Sequence, residues 1–142
     1  IDMDNDGMIY IGDRENHRVQ VFDSDGNHQA TWGNLSRAAA VCVDNNGSGH
    51  VYVGEYFAGI ASNDIATNLG PRVTVCDRNG EILAHLGEQS YGEASGRFYS
   101  PHGIDVDSKG NIYVAEVSYS EYGGKMDPPQ ELRSMQKLLK LG

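Results

Sequence analysis

Three copies of one pattern constrain this chain more than any other feature. The segments Asp2-Met-Asp-Asn-Asp-Gly-Met-Ile-Tyr-Ile-Gly-Asp13, Cys42-Val-Asp-Asn-Asn-Gly-Ser-Gly-His-Val-Tyr-Val-Gly-Glu55 and Asp105-Val-Asp-Ser-Lys-Gly-Asn-Ile-Tyr-Val-Ala-Glu116 superimpose. In each, an Asp closes an apolar strand (Asp4, Asp44, Asp107), and a turn containing Gly follows. A second strand centred on Tyr10, Tyr52 or Tyr113 then ends on an acid: Asp13, Glu55 or Glu116. Asn, Asp and Gly are the residues a tight hairpin demands, because they tolerate left-handed backbone or bond to it locally.

Two more strands complete the unit. Arg18-Val-Gln-Val-Phe-Asp23 matches Arg72-Val-Thr-Val-Cys-Asp77, each is followed by a Gly turn, and a fourth strand then ends in Trp32-Gly33 or Leu86-Gly87. Four short antiparallel strands, repeated, are the sequence signature of a propeller blade. Tyr10 and Tyr52 lie 42 residues apart, a normal blade length. Tyr52 and Tyr113 lie 61 apart, and the excess falls in two loop-like stretches, 56–71 and 88–100. The expected fold is therefore all-β, a partial six-bladed propeller of three blades at about 1–35, 36–90 and 100–142. The third unit departs after Glu116: Asp127-Pro-Pro-Gln-Glu-Leu-Arg-Ser-Met-Gln136 reads as a short helix capped by Asp127, with the third strand at 137–141 and no fourth. Three blades do not close a ring, and a last blade without its fourth strand has an open edge. A missing N-terminal propeller half, or a second copy of the chain, is expected to close it. The sequence opens on Ile1 rather than Met, which fits a piece of a longer chain.

Eleven basic against twenty acidic residues give a net charge of -9, which argues against nucleic acid as a partner, since phosphate binding needs a basic face. The surplus acid suits a solvated surface, or cationic or neutral ligands. No apolar run approaches the ~18 residues of a membrane span. The chain reads as soluble, with a secreted or periplasmic setting left open. Cys42 and Cys76 fall on first and third strands of one unit, which are not neighbours, so both are expected as buried thiols rather than a disulfide.

Asp13-Arg-Glu-Asn-His-Arg-Val-Gln-Val-Phe-Asp-Ser-Asp-Gly26 and Ser100-Pro-His-Gly-Ile-Asp-Val-Asp-Ser-Lys-Gly-Asn-Ile-Tyr-Val-Ala-Glu116 resemble NHL-repeat propellers. Within these the chain looks most like bacterial six-bladed relatives of peptidyl-α-hydroxyglycine α-amidating lyase, whose C-terminus is similar to Glu116-Val-Ser-Tyr119 and Leu132-Arg-Ser-Met-Gln-Lys-Leu138. The resemblance implies a lyase that cleaves a peptidyl-α-hydroxyglycine to a peptide amide and glyoxylate. It also implies a zinc held by three His, and a structural calcium. His102 sits where the family has a zinc-binding His, and Arg14 where it has a catalytic Arg. The chain departs from the pattern at Ser100, which replaces an active-site Met, and at Gly103, which replaces an acid near the calcium.

The residues themselves leave alternatives open. His102 could face the channel as a metal ligand, or simply fill a turn. Arg14 could anchor a carboxylate or stabilise an oxyanion, or form an inter-blade salt bridge. Asp13, Glu55 and Glu116 recur, which favours a role in the blade over an acidic rim. Asp2 and Asp105 share a register with Cys42 and could approach the channel. Asp4-Asn-Asp-Gly7 resembles the start of a calcium loop, but its flanks are strands, so a hairpin turn is expected. The expected function is that of the C-terminal half of a metal-dependent lyase-like propeller acting on a small-molecule or peptide substrate. The alternative is a non-catalytic propeller binding a peptide, glycan or protein on its loop face.

Overall fold

The computed structural model describes residues 1–57, 69–87 and 91–141. Eleven strands form three antiparallel sheets. The first contains β1 (Asp2–Met3), β2 (Ile9–Asp13), β3 (Arg18–Phe22) and β4 (His28–Trp32). The second contains β5 (Arg37–Val43), β6 (Val51–Tyr56), β7 (Arg72–Cys76) and β8 (Ile82–Leu86). The third contains β9 (Pro101–Val106), β10 (Ile112–Glu116) and β11 (Met135–Leu138). Each sheet pairs its strands in sequence order, the meander of a propeller blade. Most of the 56–71 stretch and part of 88–100 lie outside the described residues.

The hairpin turns share one device. Asp4, Asp23, Asp77 and Asp107 each use one carboxylate oxygen to accept backbone N–H groups two and four residues ahead, at 2.8 to 3.0 Å. The glycine three residues on (Gly7, Gly26, Gly80, Gly110) has φ between +80° and +87°, a region where a side chain is strained. The second oxygen of Asp4 accepts the Tyr10 hydroxyl at 3.0 Å, and that of Asp107 the Tyr113 hydroxyl at 3.1 Å. In blades one and three the repeated Asp, Gly and Tyr are thus one hydrogen-bonded unit, and Asp4-Asn-Asp-Gly7 is a hairpin turn; in blade two Asp44 bonds Ser48 instead.

The apolar faces meet between blades. One core joins blades one and two through Tyr10, Val19, Val21, Trp32, Leu35, Val41, Val51 and Val53; another joins blades two and three through Tyr52, Val73, Val75, Phe98, Ile112 and Val114. The central sheet is covered on both faces. This is why β7 is buried at every position while β3, nearly the same in sequence, alternates between buried and half-buried. Close approach is enforced at Gly12 of β2, where a Cβ would stand 2.8 Å from the Ala38 carbonyl oxygen of β5.

The strand-end acids belong to the scaffold. Glu55 is fully buried and accepts from the Ser36 amide, the Thr74 hydroxyl and Arg72 Nε, the last at 3.1 Å. Asp13 takes the equivalent bond from Arg18 Nε at 2.7 Å, nearer the surface. Glu116 accepts from the Tyr99 and Ser100 amides and from Gln136 Nε2.

Two expectations for blade three are corrected. No helix forms at 127–136; the segment runs as bends and extended chain, and the nearby helical turn is a single 3-10 turn at Gly123–Lys125. The third strand is Met135–Leu138, two residues earlier than 137–141. Pairing with β10 decides this: Gln136 lies opposite Val114 and so brings its amide to Glu116. A ladder and a buried bond outweigh a capping signal with no apolar face behind it.

Candidate functional site

In an antiparallel blade the second strand ends where the first begins, so one face of the assembly gathers the ends of β2, β6 and β10 and the starts of β5 and β9. Arg14 opens a 3-10 turn, Arg14–Asn16, directly after β2. Arg37 starts β5 opposite Tyr56, which ends β6. Ser100 and His102 flank the start of β9. Tyr122 and Glu121 come from the segment after β10. With Phe57, all of these but His102 line a cavity of about 350 Å³.

Tyr56 is the centre of this group and is buried. The guanidinium carbon of Arg37 lies 5.4 Å from its ring centroid and that of Arg14 5.8 Å, within cation–π reach. The His102 ring meets it edge-on with centroids 5.5 Å apart. Burial pushes the Tyr56 hydroxyl up to about 12, against the pull of Arg14 and Arg37. Tyr122 continues the aromatic wall, its ring 4.8 Å from Tyr91 and 5.2 Å from Tyr99. Arg14 Nε donates to Glu15 Oε1 at 2.8 Å, and Arg37 Nη2 donates to the same oxygen. Glu121, also in the lining, pairs with Lys125 at 3.3 Å.

The two residues singled out by sequence are therefore brought to one ring. Arg14 is half exposed and makes an ion pair within its own turn. The inter-blade salt bridge of this region runs instead between Arg37 and Glu15. His102 is exposed and stands alone as an imidazole: among the described residues no three His, Cys, Asp or Glu come together to hold a metal. Of the zinc ligands that the resemblance implies, His102 is the one this chain carries.

Sequence reasoning missed Arg37, Tyr56, Glu121 and Tyr122. A signal existed for Tyr56. The position after the strand-end acid is Arg14, Tyr56 and Val117 in the three repeats, so it varies where its surroundings repeat. Arg37 was a lone charge opening an otherwise apolar strand.

A second cluster lies on the inner strands. Cys42 Sγ is 3.8 Å from Asp105 Oδ1, and Asp2 accepts the Val43 amide at 2.8 Å. Burial, then the Asp2 and Asp105 charges, push the Cys42 thiol up to about 12, and burial pushes Cys76 to about 11. Both are free and buried, so they act as packed, unreactive thiols.

The family model for the NHL repeat matches residues 1–22 and 98–120. No curated protein matches the chain. Among solved structures it is similar to a protein of unknown function from Bacteroides caccae, with a TM-score of 0.69 over 96% of this chain at 8% identity. The chain spans 43% of that neighbour's length. At such identity the likeness shows the fold alone.

Proposed function

We propose that this chain is a section of an NHL-type propeller that recognises a ligand on its loop face, in the cavity around Tyr56. The observation that carries the reading is the convergence of two guanidinium groups on one buried ring, from two different blades, beside an aromatic-walled cavity. One carboxylate, that of Glu15, serves both cations, and Arg37 is held there almost fully buried. Further blades, from a longer chain or a second copy, complete the ring. Blade one's free face carries the half-buried Ile9, Ile11 and Phe22, and β11 has an unpaired edge among the described residues.

A second reading is the amidating lyase. What favours it is that Arg14 and His102, the two positions matching that family, contact the same Tyr56 ring. In that reading Arg14 holds or polarises the substrate, and His102 is one metal ligand with the others supplied by further blades. Metal analysis of the intact protein together with an assay for glyoxylate release separates the two. The recognition reading predicts no glyoxylate. Glyoxylate release that disappears in Arg14→Ala would overturn it in favour of the lyase.

A further inference from the structure

We infer that the Tyr56 cavity is an oxyanion site. It takes the carboxylate or phosphate of a small ligand with a flat apolar body, and Arg37 is its anchor. This rests on the reading above that the cavity is the ligand site, and it names the ligand's chemistry.

The Arg37 side chain is 6% exposed and lines the cavity, and its Nε is buried without a hydrogen-bond partner among the described residues. A buried N–H left unsatisfied costs about 1–3 kcal/mol. Arg37 Nη2 is already taken by Glu15, so an oxyanion entering the cavity competes with Glu15 for the guanidinium. A guanidinium fork fits planar or tetrahedral oxyanions through two parallel N–H bonds.

The whole chain carries a net charge of -9, so its field repels anions. Around the cavity the balance reverses. Arg14 and Arg37 share one carboxylate, that of Glu15, which is 46% exposed. Glu121, also in the lining, is matched by Lys125. Among the described residues one positive charge remains in excess, at the guanidinium pair. The walls supplied by Tyr56, Phe57 and Tyr122 suit an aromatic or apolar body, and about 350 Å³ holds a molecule with one ring and one acid group.

The test is calorimetric titration of the intact protein with benzoate, phenyl phosphate, phenol and benzamidine. Benzoate or phenyl phosphate is expected to saturate one site, with phenol at least tenfold weaker and benzamidine not binding. Saturation by benzoate alone assigns a carboxylate, and by phenyl phosphate alone a phosphate. Arg37→Gln is expected to weaken the anion at least tenfold and Arg14→Gln several-fold. Glu121→Gln, which removes a like charge and frees Lys125, is expected to tighten it several-fold. Should Arg37→Gln not fold, the two exposed variants carry the test, since a merely structural role for Glu121 predicts no gain in anion affinity. Phenol or benzamidine binding as tightly as benzoate, with Glu121→Gln inert, would overturn the oxyanion inference and leave the cavity as a ligand site. Binding by none of the four probes would overturn both.

Discussion

Glu55→Ala and Asp13→Ala remove the same repeat position from two blades, and the structure predicts very different costs. Each acid lies opposite an arginine, Arg72 or Arg18, and accepts its Nε. In blade two the partners are 7% and 0% exposed; in blade one they are 38% and 24% exposed. Removing Glu55 strands a buried cation, orphans the Ser36 amide and leaves the Thr74 hydroxyl with His85 Nδ1 as its remaining partner. Breaking a buried pair from one side costs about 3–5 kcal/mol, whereas an exposed pair contributes about 0–1 kcal/mol. With a urea slope of about 2 kcal/mol/M, Glu55→Ala should lower the unfolding midpoint by roughly 2 M and Asp13→Ala by under about 0.5 M. Trp32, the sole tryptophan and buried in the core between blades one and two, reports the transition by fluorescence. The paired change Glu55→Leu with Arg72→Met should recover much of the loss, because no charge is left unpaired. Equal midpoints for the two single alanine variants would refute the burial argument.

Gly80→Ala should destabilise by about 1–3 kcal/mol and shift Trp32 emission in the folded state, because Gly80 has φ +87° and its Cβ would stand 2.4 Å from Trp32 Cδ1. Unchanged emission would count against this packing. The turn carboxylates are held below their ordinary value of 3.8: Asp107 to about 2, mainly by Asn111, and Asp77 by the Glu81 amide. Groups depressed in the fold stabilise it above their unfolded value and lose that contribution as pH falls through the folded one. The urea midpoint should therefore drop between about pH 4 and pH 2, and a flat profile there would contradict the turn assignment. Cys42 and Cys76, buried and shifted upward, should resist iodoacetamide at pH 8 in the native protein and react once urea unfolds it. Rapid native alkylation would show that the inter-blade packing is looser than described.

The blades were legible because their turns are written locally. In blades one and three an Asp, a Gly three residues on and a Tyr three further form a self-contained hydrogen-bonded unit, so the pattern survives without tertiary information. The segment before β11 was not legible for the opposite reason. Asp127-Pro-Pro carries a genuine helix-start signal, but the chain there serves a ladder to β10 and a bond from Gln136 to Glu116, neither of which is local. The cavity was half legible. Arg14 stood out as a break in the repeat, and His102 through the resemblance. Arg37 and Tyr122 reach the same place only because adjacent blades bring the start of β5 and the segment after β10 together, and no spacing along one strand encodes that.

The cavity around Tyr56 is the proposed place where a ligand binds. Mapping amide and arginine Nε–H shifts by NMR while benzoate or phenyl phosphate is titrated into the intact protein tests this directly. The largest changes are predicted at Arg37 Nε–H and at the amides of Tyr56, Phe57 and Tyr122, saturating together. Changes centred instead on the apolar groove at Leu86, Phe98 and Leu138, or on Asp2, Cys42 and Asp105, would contradict the account.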